Sequence, residues 1–403
     1  MAQPLDHAFG LEESNGSHMV LSQSTGQLNS SAPQHIEGLP GCLAALLDPH
    51  APMLLPAPGS LDPAELDNSR LDRLVASLGR GKATWQRALQ LYAWLKTSGH
   101  ALDDRLCTTL IRVCADHGDA LAALGVYEWM AAPLGVGGAG LRPTAYTYTA
   151  VMRAAAGCGM LDRAMQVWGD SQAAGLQPDC RLCITYIEVC MRLGLTDKAL
   201  QMYVSMRDSG PGSAMRPTAH AYTAAMRAAT EGGRWIRALA IWEDMRRAGC
   251  APTGHAYAAA ISACSVGQDW ARAVALFDDM TSRAGIRPDV VSCTALVTAL
   301  ASAGEADKAE ALVGWMVAAG LKPNVRTYTA LLTAMGNARQ WGRAVQLLAA
   351  MQQPEASVAP NAYTYSALLK AAGAHGQWRL AEAVFEDLEG QVLVARSATP
   401  SPG

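Results

Sequence analysis

VVSCTALVTALASAGEADKAEALVGWMVAAGLKPN, residues 290–324, is followed at once by VRTYTALLTAM, which opens in the same register. One unit is therefore 35 residues long, and carrying the register outward gives starts at Ser69, Asp104, Ala145, Cys180, Ala219, Gly254, Val290, Val325 and Ala362. The twentieth place of all nine units is alanine: Ala88, Ala123, Ala164, Ala199, Ala238, Ala273, Ala309, Ala344 and Ala381. Alanine keeps helix propensity while letting two helices approach closely. The twenty-third place (Leu91, Val126, Val167, Met202, Ile241, Leu276, Leu312, Leu347, Val384) is apolar throughout. Spacings of three and four trace one buried helix face.

Each unit divides into two such faces. Apolar residues at helical spacing, as at Tyr148, Val151, Met152 and Ala155, break off near Gly157 and Gly159. The pattern resumes at Leu161 and runs through Ala164, Val167 and Trp168 to Gly175 and Pro178, a helix stop followed by a residue that cannot continue the helix. The unit is a hairpin of helix A and helix B. Pro143, Pro178, Pro217, Pro252, Pro288, Pro323 and Pro360 each stand one residue short of the next unit. The units of 41, 39, 36 and 37 residues are expected to hold their extra residues between helix B and the next helix A. Trp85, Trp235, Trp270, Trp341 and Trp378 open helix B in five units and are read as fillers of the groove between hairpins.

The resulting expectation is an all-α solenoid of tandem helix-turn-helix repeats over 69–390, divided at 69–103, 104–144, 145–179, 180–218, 219–253, 254–289, 290–324, 325–361 and 362–390. Residues 1–68 and 391–403 are expected to be disordered. Composition agrees: half of the 403 residues are hydrophobic but only three are Phe, and a stack of hairpins packs with small residues because each needs only its neighbours. The net charge of -3 is unevenly placed. Residues 1–68 hold eight Asp or Glu and no Lys or Arg, whereas 69–390 hold 31 Lys and Arg against 27 Asp and Glu. That balance permits a nucleic-acid partner without demanding one.

No cofactor or catalytic chemistry is expected. The ten cysteines lack paired spacing, and Cys107, Cys183 and Cys293 fall in core columns, so they read as reduced, buried thiols. Cys180 and Cys183 form a single C-x-x-C with no second pair, short of the four ligands of a zinc site. No phosphate-binding glycine loop, H-E-x-x-H or deaminase signature is present, and no apolar run approaches a membrane span. No transit peptide or signal-peptide pattern is visible. Neither a small-molecule substrate nor a membrane is expected as partner.

Two repeat families share a small residue at place 20 and an aromatic near place 24, here Tyr92, Tyr127, Trp168, Tyr203, Trp242, Phe277 and Phe385. The tetratricopeptide repeat has 34 residues and a glycine at place 8; this chain has Ile111, Met152, Ile187, Met226, Ile261, Val297, Leu332 and Leu369 there. The array instead resembles the pentatricopeptide repeat family, P-class, over about 80% of the chain. The resemblance implies a right-handed superhelix whose A helices line the inner face, each unit reading one base of single-stranded RNA through its fifth and last residues. It implies a role in organellar RNA stabilisation, processing or translation, in the chloroplast or alternatively the mitochondrion, and no enzyme activity. With only thirteen residues after Gly390, none of the catalytic domains that some members carry at that end is expected.

Helical geometry puts places 2, 5 and 9 together on one side of helix A, where polar side chains are expected to face open space. The base-reading candidates are Thr108, Thr149, Thr223, Thr294, Thr329 and Ser366 at the fifth place and Thr144, Asp179, Thr253, Asp289, Asn324 and Asn361 at the last. The family's code, carried over, makes Thr149 with Asp179 similar to a guanine reader, and Thr294 with Asn324 and Thr329 with Asn361 similar to adenine readers; the ligand is then purine-biased. The other pairs depart from the common combinations and leave their base open. Tyr146, His220, His255, Val291, Arg326 and Tyr363 at place 2 are candidates for base stacking. Arg112, Arg153, Arg227 and Lys370 at place 9 are candidates for phosphate. The alternative occupant of the same face is a protein, which would make the chain an interaction scaffold.

Overall fold

The computed structural model describes residues 40, 43, 45–48, 67–133, 138–210, 212–353, 358–379 and 381–386. The remaining parts of 1–68 and the whole of 391–403, expected to be disordered, lie outside the described residues. The described chain is a series of helical hairpins with no strand. It falls into two compact units divided between Pro217 and Thr218.

The first unit holds α1 (Asn68–Leu78), α2 (Trp85–Thr97), α3 (Asp104–Asp116), α4 (Ala120–Ala131), α5 (Ala145–Gly157), α6 (Leu161–Ala173), α7 (Cys180–Arg192) and α8 (Thr196–Asp208). The second holds α9 (Ala219–Glu231), α10 (Trp235–Arg247), α11 (Gly254–Val266), α12 (Trp270–Asp278), α13 (Val290–Ser302), α14 (Ala306–Ala318), α15 (Val325–Asn337), α16 (Trp341–Gln352) and α17 (Ala362–Ala374), and residues 378–379 and 381–386 are helical as well. Odd-numbered helices are the A helices and even-numbered ones the B helices. Within each unit every A helix packs on the A helix that follows it, and α1, α3, α5, α7, α9, α11, α13 and α15 each pack on their own B helix.

Alanine at place 20 is what lets the B helices dock. From Ala88 to Ala344 each of these side chains is 0% exposed, so a longer side chain would force neighbouring helices apart. The aromatic at place 24 then crosses to the next hairpin: Tyr127 meets Tyr148 edge-on at 5.8 Å, and Trp242 lies 4.7 Å from Tyr257. The tryptophans that open helix B are half-buried in four hairpins, but Trp378, expected to fill a groove as well, is 71% exposed because the last hairpin has no described successor to pack on. Trp85 stacks on His117 at 5.0 Å, and a Cβ added at Gly267 would come within 2.6 Å of the Trp235 ring.

The turn from helix A to helix B is made at place 15 by a residue with positive φ, the left-handed region in which glycine escapes the clash of its missing Cβ. Gly118, Gly159, Gly194, Gly233, Gly304 and Gly376 serve there, with Gln268 (φ 57°) and Arg339 (φ 58°) in two hairpins.

Two expectations need correction. The extra residue of the 36-residue unit is not in the loop after helix B. It sits inside that helix, where Asp279–Arg283 form a π turn, because one inserted residue is absorbed by widening the backbone ring without breaking the apolar stripe. And part of the segment expected to be disordered is packed. Leu43 and Leu46 are 0% and 1% exposed, and Arg87 Nη1 donates to the carbonyls of Leu46 (3.1 Å) and Asp48 (2.5 Å). These leucines cover the apolar flank that the first hairpin would otherwise leave to water.

Candidate nucleic-acid interface

The candidate residues lie at the N-terminal ends of the A helices, so the first question is what holds those ends. A helix start leaves backbone N–H groups without partners, and a short polar side chain just before it can accept from the third residue. The last place does this for the next A helix in seven units; Thr218 makes no side-chain cap bond. Asp103 accepts from Leu106 N (2.8 Å), Asp179 from Leu182 N (2.7 Å), Thr253 from Ala256 N (3.3 Å), Asp289 from Ser292 N (2.8 Å), Asn324 from Thr327 N (3.0 Å) and Asn361 from Thr364 N (3.1 Å). Thr144 accepts more loosely, at 3.4 Å from Thr147 N. The last-place candidates are therefore helix caps first, each with one atom turned into the helix.

The fifth-place threonines depart from expectation. Thr108, Thr149 and Thr294 are 6%, 4% and 6% exposed, and Thr223 and Thr329 are half-buried. The reason is the close approach of successive A helices, which covers most of what an isolated helix would show. Their hydroxyls turn inward: Thr149 donates to Ala145 O and Thr223 to Ala219 O, both at 2.8 Å. Thr108 donates to Asp104 O at 2.6 Å and also meets Thr147 Oγ at 2.8 Å. Ser366 is exposed.

In three hairpins the fifth and last places are joined by a third side chain: Thr108 and Thr144 both meet Thr147 Oγ, at 2.8 and 3.1 Å, and in the other two the last place is asparagine. Thr294 Oγ lies 2.7 Å from Thr327 Oγ, which donates to Asn324 Oδ1 at 3.1 Å. One hairpin on, Thr329 Oγ lies 3.0 Å from Thr364 Oγ, which donates to Asn361 Oδ1 at 3.1 Å. Thr327 and Thr364, both 0% exposed, stand at place 3, a column that reading by families of places passed over. The signal was present as N-x-x-T, a capping box written across the unit boundary.

The second place faces solvent as expected. Tyr146, Val291 and Tyr363 are 47%, 57% and 81% exposed, and His220, His255 and Arg326 are exposed too. Arg105, at place 2 of its unit, is held from behind by Asp72, 3.1 Å from its Nε, and Asp72 also accepts from Thr109 at 2.5 Å. At place 9, Arg153 and Lys370 are exposed, Arg112 is half-buried, and Arg227 shares its charge with Glu231 at 3.7 Å.

The remaining polar groups of the core are quiet. Burial pushes the thiols of Cys107, Cys183 and Cys293 up to about 12. Among the described residues no group of three or more His, Cys, Asp or Glu is placed to hold a metal ion, and no helix is long and apolar enough to cross a membrane.

Two family models match the chain: the pentacotripeptide-repeat region of PRORP over residues 213–400, and the PPR repeat over 146–176 and 184–211. Between them they span more than half of its length. The chain is a pentatricopeptide-repeat protein. No curated protein matches its sequence. Among solved structures this pentatricopeptide-repeat chain is similar to the pentatricopeptide repeat protein PPR10 from maize, with 24% identity, 81% of this chain and 45% of that one covered, and a TM-score of 0.48. It is similar to PPR10 in complex with an 18-nt psaJ RNA element (21% identity, 87% and 52% covered, TM-score 0.49) and to yeast Rmd9p in complex with a 16-nt target RNA (11%, 83% and 68%, TM-score 0.33). The chain spans about half the length of the PPR10 chains it matches.

Proposed function

We propose that this chain binds single-stranded RNA along the N-terminal edges of its A helices, one base per hairpin, with no chemistry of its own. The observation that carries this is the joining of fifth and last places through one shared hydroxyl, in Thr294–Thr327–Asn324 and again in Thr329–Thr364–Asn361. Two polar groups far apart in sequence are fixed side by side, which is the arrangement that reads the edge of an unstacked base. Exposed rings and guanidinium groups at place 2 supply stacking surfaces along the same edge, and Arg153 and Lys370 supply charge for the backbone. Membership of the pentatricopeptide-repeat family points the same way.

On this reading Thr294/Asn324 and Thr329/Asn361 select adenine, and Thr149/Asp179 selects guanine. The biological consequence is steric: a bound array shields an organellar transcript from nucleases or keeps a stretch unpaired for processing or translation. The test is binding of the full chain to purine-rich and pyrimidine-rich 12-mers and to a duplex, at two salt concentrations. A preference for the purine single strand that weakens with salt is expected. Equal, weak binding to all three at both salts would overturn the reading and turn attention to a protein partner.

A further inference from the structure

The direction of each proton in the two chains that end on asparagine follows from what surrounds them. The backbone N–H of Thr327 can only donate, so the Asn324 side-chain atom that faces it, at 3.0 Å, is the oxygen. Thr327 Oγ also donates to that oxygen. Its single proton being placed, Thr327 Oγ receives the proton of Thr294 at 2.7 Å. Thr294 is thereby left with lone pairs only, and Asn324 with its amide nitrogen, which makes no hydrogen bond among the described residues. The same sequence of donors holds for Thr329, Thr364 and Asn361, with Thr364 N on Asn361 Oδ1 at 3.1 Å and the two hydroxyls 3.0 Å apart.

The comparison within the molecule shows what the third-place hydroxyl changes. Where the next unit has Leu182 or Ala256 at place 3, the fifth-place threonine turns back to its own helix, as Thr149 does to Ala145 O and Thr223 to Ala219 O. Thr108, with Thr147 at place 3 of the next unit, does both, donating to Asp104 O while it meets Thr147 Oγ; where the last place is asparagine, Thr294 and Thr329 make no such bond to their own helix and reach across to the neighbour.

From this we infer that Thr327 and Thr364 are positioning residues for base selection: each belongs to one hairpin but holds the fifth-place acceptor beside the last-place donor of the pair that reads for the hairpin before it. The inference rests on the RNA reading above. An acceptor at the fifth place beside a donor at the last complements a Watson–Crick edge that offers an amino donor next to a bare ring nitrogen. Adenine has that edge. Guanine presents the reverse order, a carbonyl beside an N–H, and meets two mismatched groups. Cytosine shares adenine's polarity and is separated from it by size alone, so the relay sets the adenine-over-guanine ratio and has little hold on adenine over cytosine.

The experiment measures full-chain affinity for 12-mers in which single adenines are changed to guanine along the strand, for the unaltered chain and for Thr327→Val, Thr364→Val and Thr327→Ser. The unaltered chain is expected to discriminate at two adjacent positions. Thr327→Val should lower the adenine-over-guanine ratio about tenfold at one of them, Thr364→Val at the other, and Thr327→Ser should keep it. The position read by Thr149 with Asp179, which has no third-place hydroxyl, should not respond to either valine. If the unaltered chain shows no preference between adenine and guanine anywhere, the RNA reading itself fails. If that preference exists and both valine variants keep it, or lose it equally at every position, the positioning role is wrong.

Discussion

Asn324 and Asn361 each serve two ends at once, capping a helix with the oxygen and offering the amide nitrogen outward. The two demands separate in mutants. Asn324→Ala should lower stability by about 1 kcal/mol through loss of the cap, read as a shift in urea midpoint, besides weakening RNA binding. Asp179→Asn keeps an oxygen for Leu182 N but replaces the outward acceptor by a donor, so on the proposed reading its position should move from guanine toward adenine with the urea midpoint little changed. These last-place residues were legible in the sequence as a column. That the fifth-place threonines are buried was not, because helical periodicity gives the face of a lone helix and says nothing of how much the next A helix covers. The thiols are also a residue-scale matter. In the unfolded chain a cysteine ionises near 8.5, whereas burial holds Cys107, Cys183 and Cys293 protonated to about 12 and Cys264 to about 11. Above that lower value the unfolded chain releases protons that the folded one keeps, so the contribution of the thiols to stability should be constant below pH 8 and fall from about 9 upward. Cys293→Ala should make the fall shallower in urea titrations at pH 7.5 and 10.5.

At the scale of the element, the turn at place 15 is the clearest constraint. Gln268 and Arg339 occupy the left-handed region at φ 57° and 58° where six other hairpins use glycine. Replacing either by glycine relieves the Cβ clash but adds freedom to the unfolded chain; the balance should favour the folded state by about 0.5–1 kcal/mol. Gly304→Ala should do the opposite, and the two substitutions compared by thermal unfolding give the sign directly. Glycine at this place could be read from the sequence for most hairpins. The π turn at Asp279–Arg283 could not, since an inserted residue leaves the same 36-residue count whether it lies in helix B or after it. Only the position of the next left-handed residue, Gly285, one place late in its unit, marks it.

The docking of hairpins follows one recipe repeated along each unit. Besides the alanine at place 20, a basic residue stands at place 19 in seven hairpins, and in three of them it pairs with the preceding B helix: Arg163 pairs with Glu128, Arg272 lies 3.6 Å from Glu243, and Arg343 lies 2.6 Å from Asp307 and pairs also with Glu310. Arg87 uses the same place to hold the backbone at Leu46 and Asp48, so Leu43 and residues 45–48 stand where the other hairpins have a preceding B helix. Removing residues 1–66 should therefore cost hydrogen-exchange protection in α1 and α2 while α13 to α15 keep theirs, as expected when each hairpin depends on its neighbour. Single exposed ion pairs matter little, about 0–1 kcal/mol each. The basic column was there to be read, but without the partner helix in view a surface cation on a helix has no address. The capping role of the last place has an evolutionary side. Asp, Asn, Ser and Thr all cap, and in the genetic code Asp and Asn, Asn and Ser, Asn and Thr, and Ser and Thr are each one nucleotide apart. On the RNA reading proposed above, a lineage carrying this array can drift from one target transcript to another by single mutations, every intermediate still folded, so long as it stays inside that four-letter vocabulary.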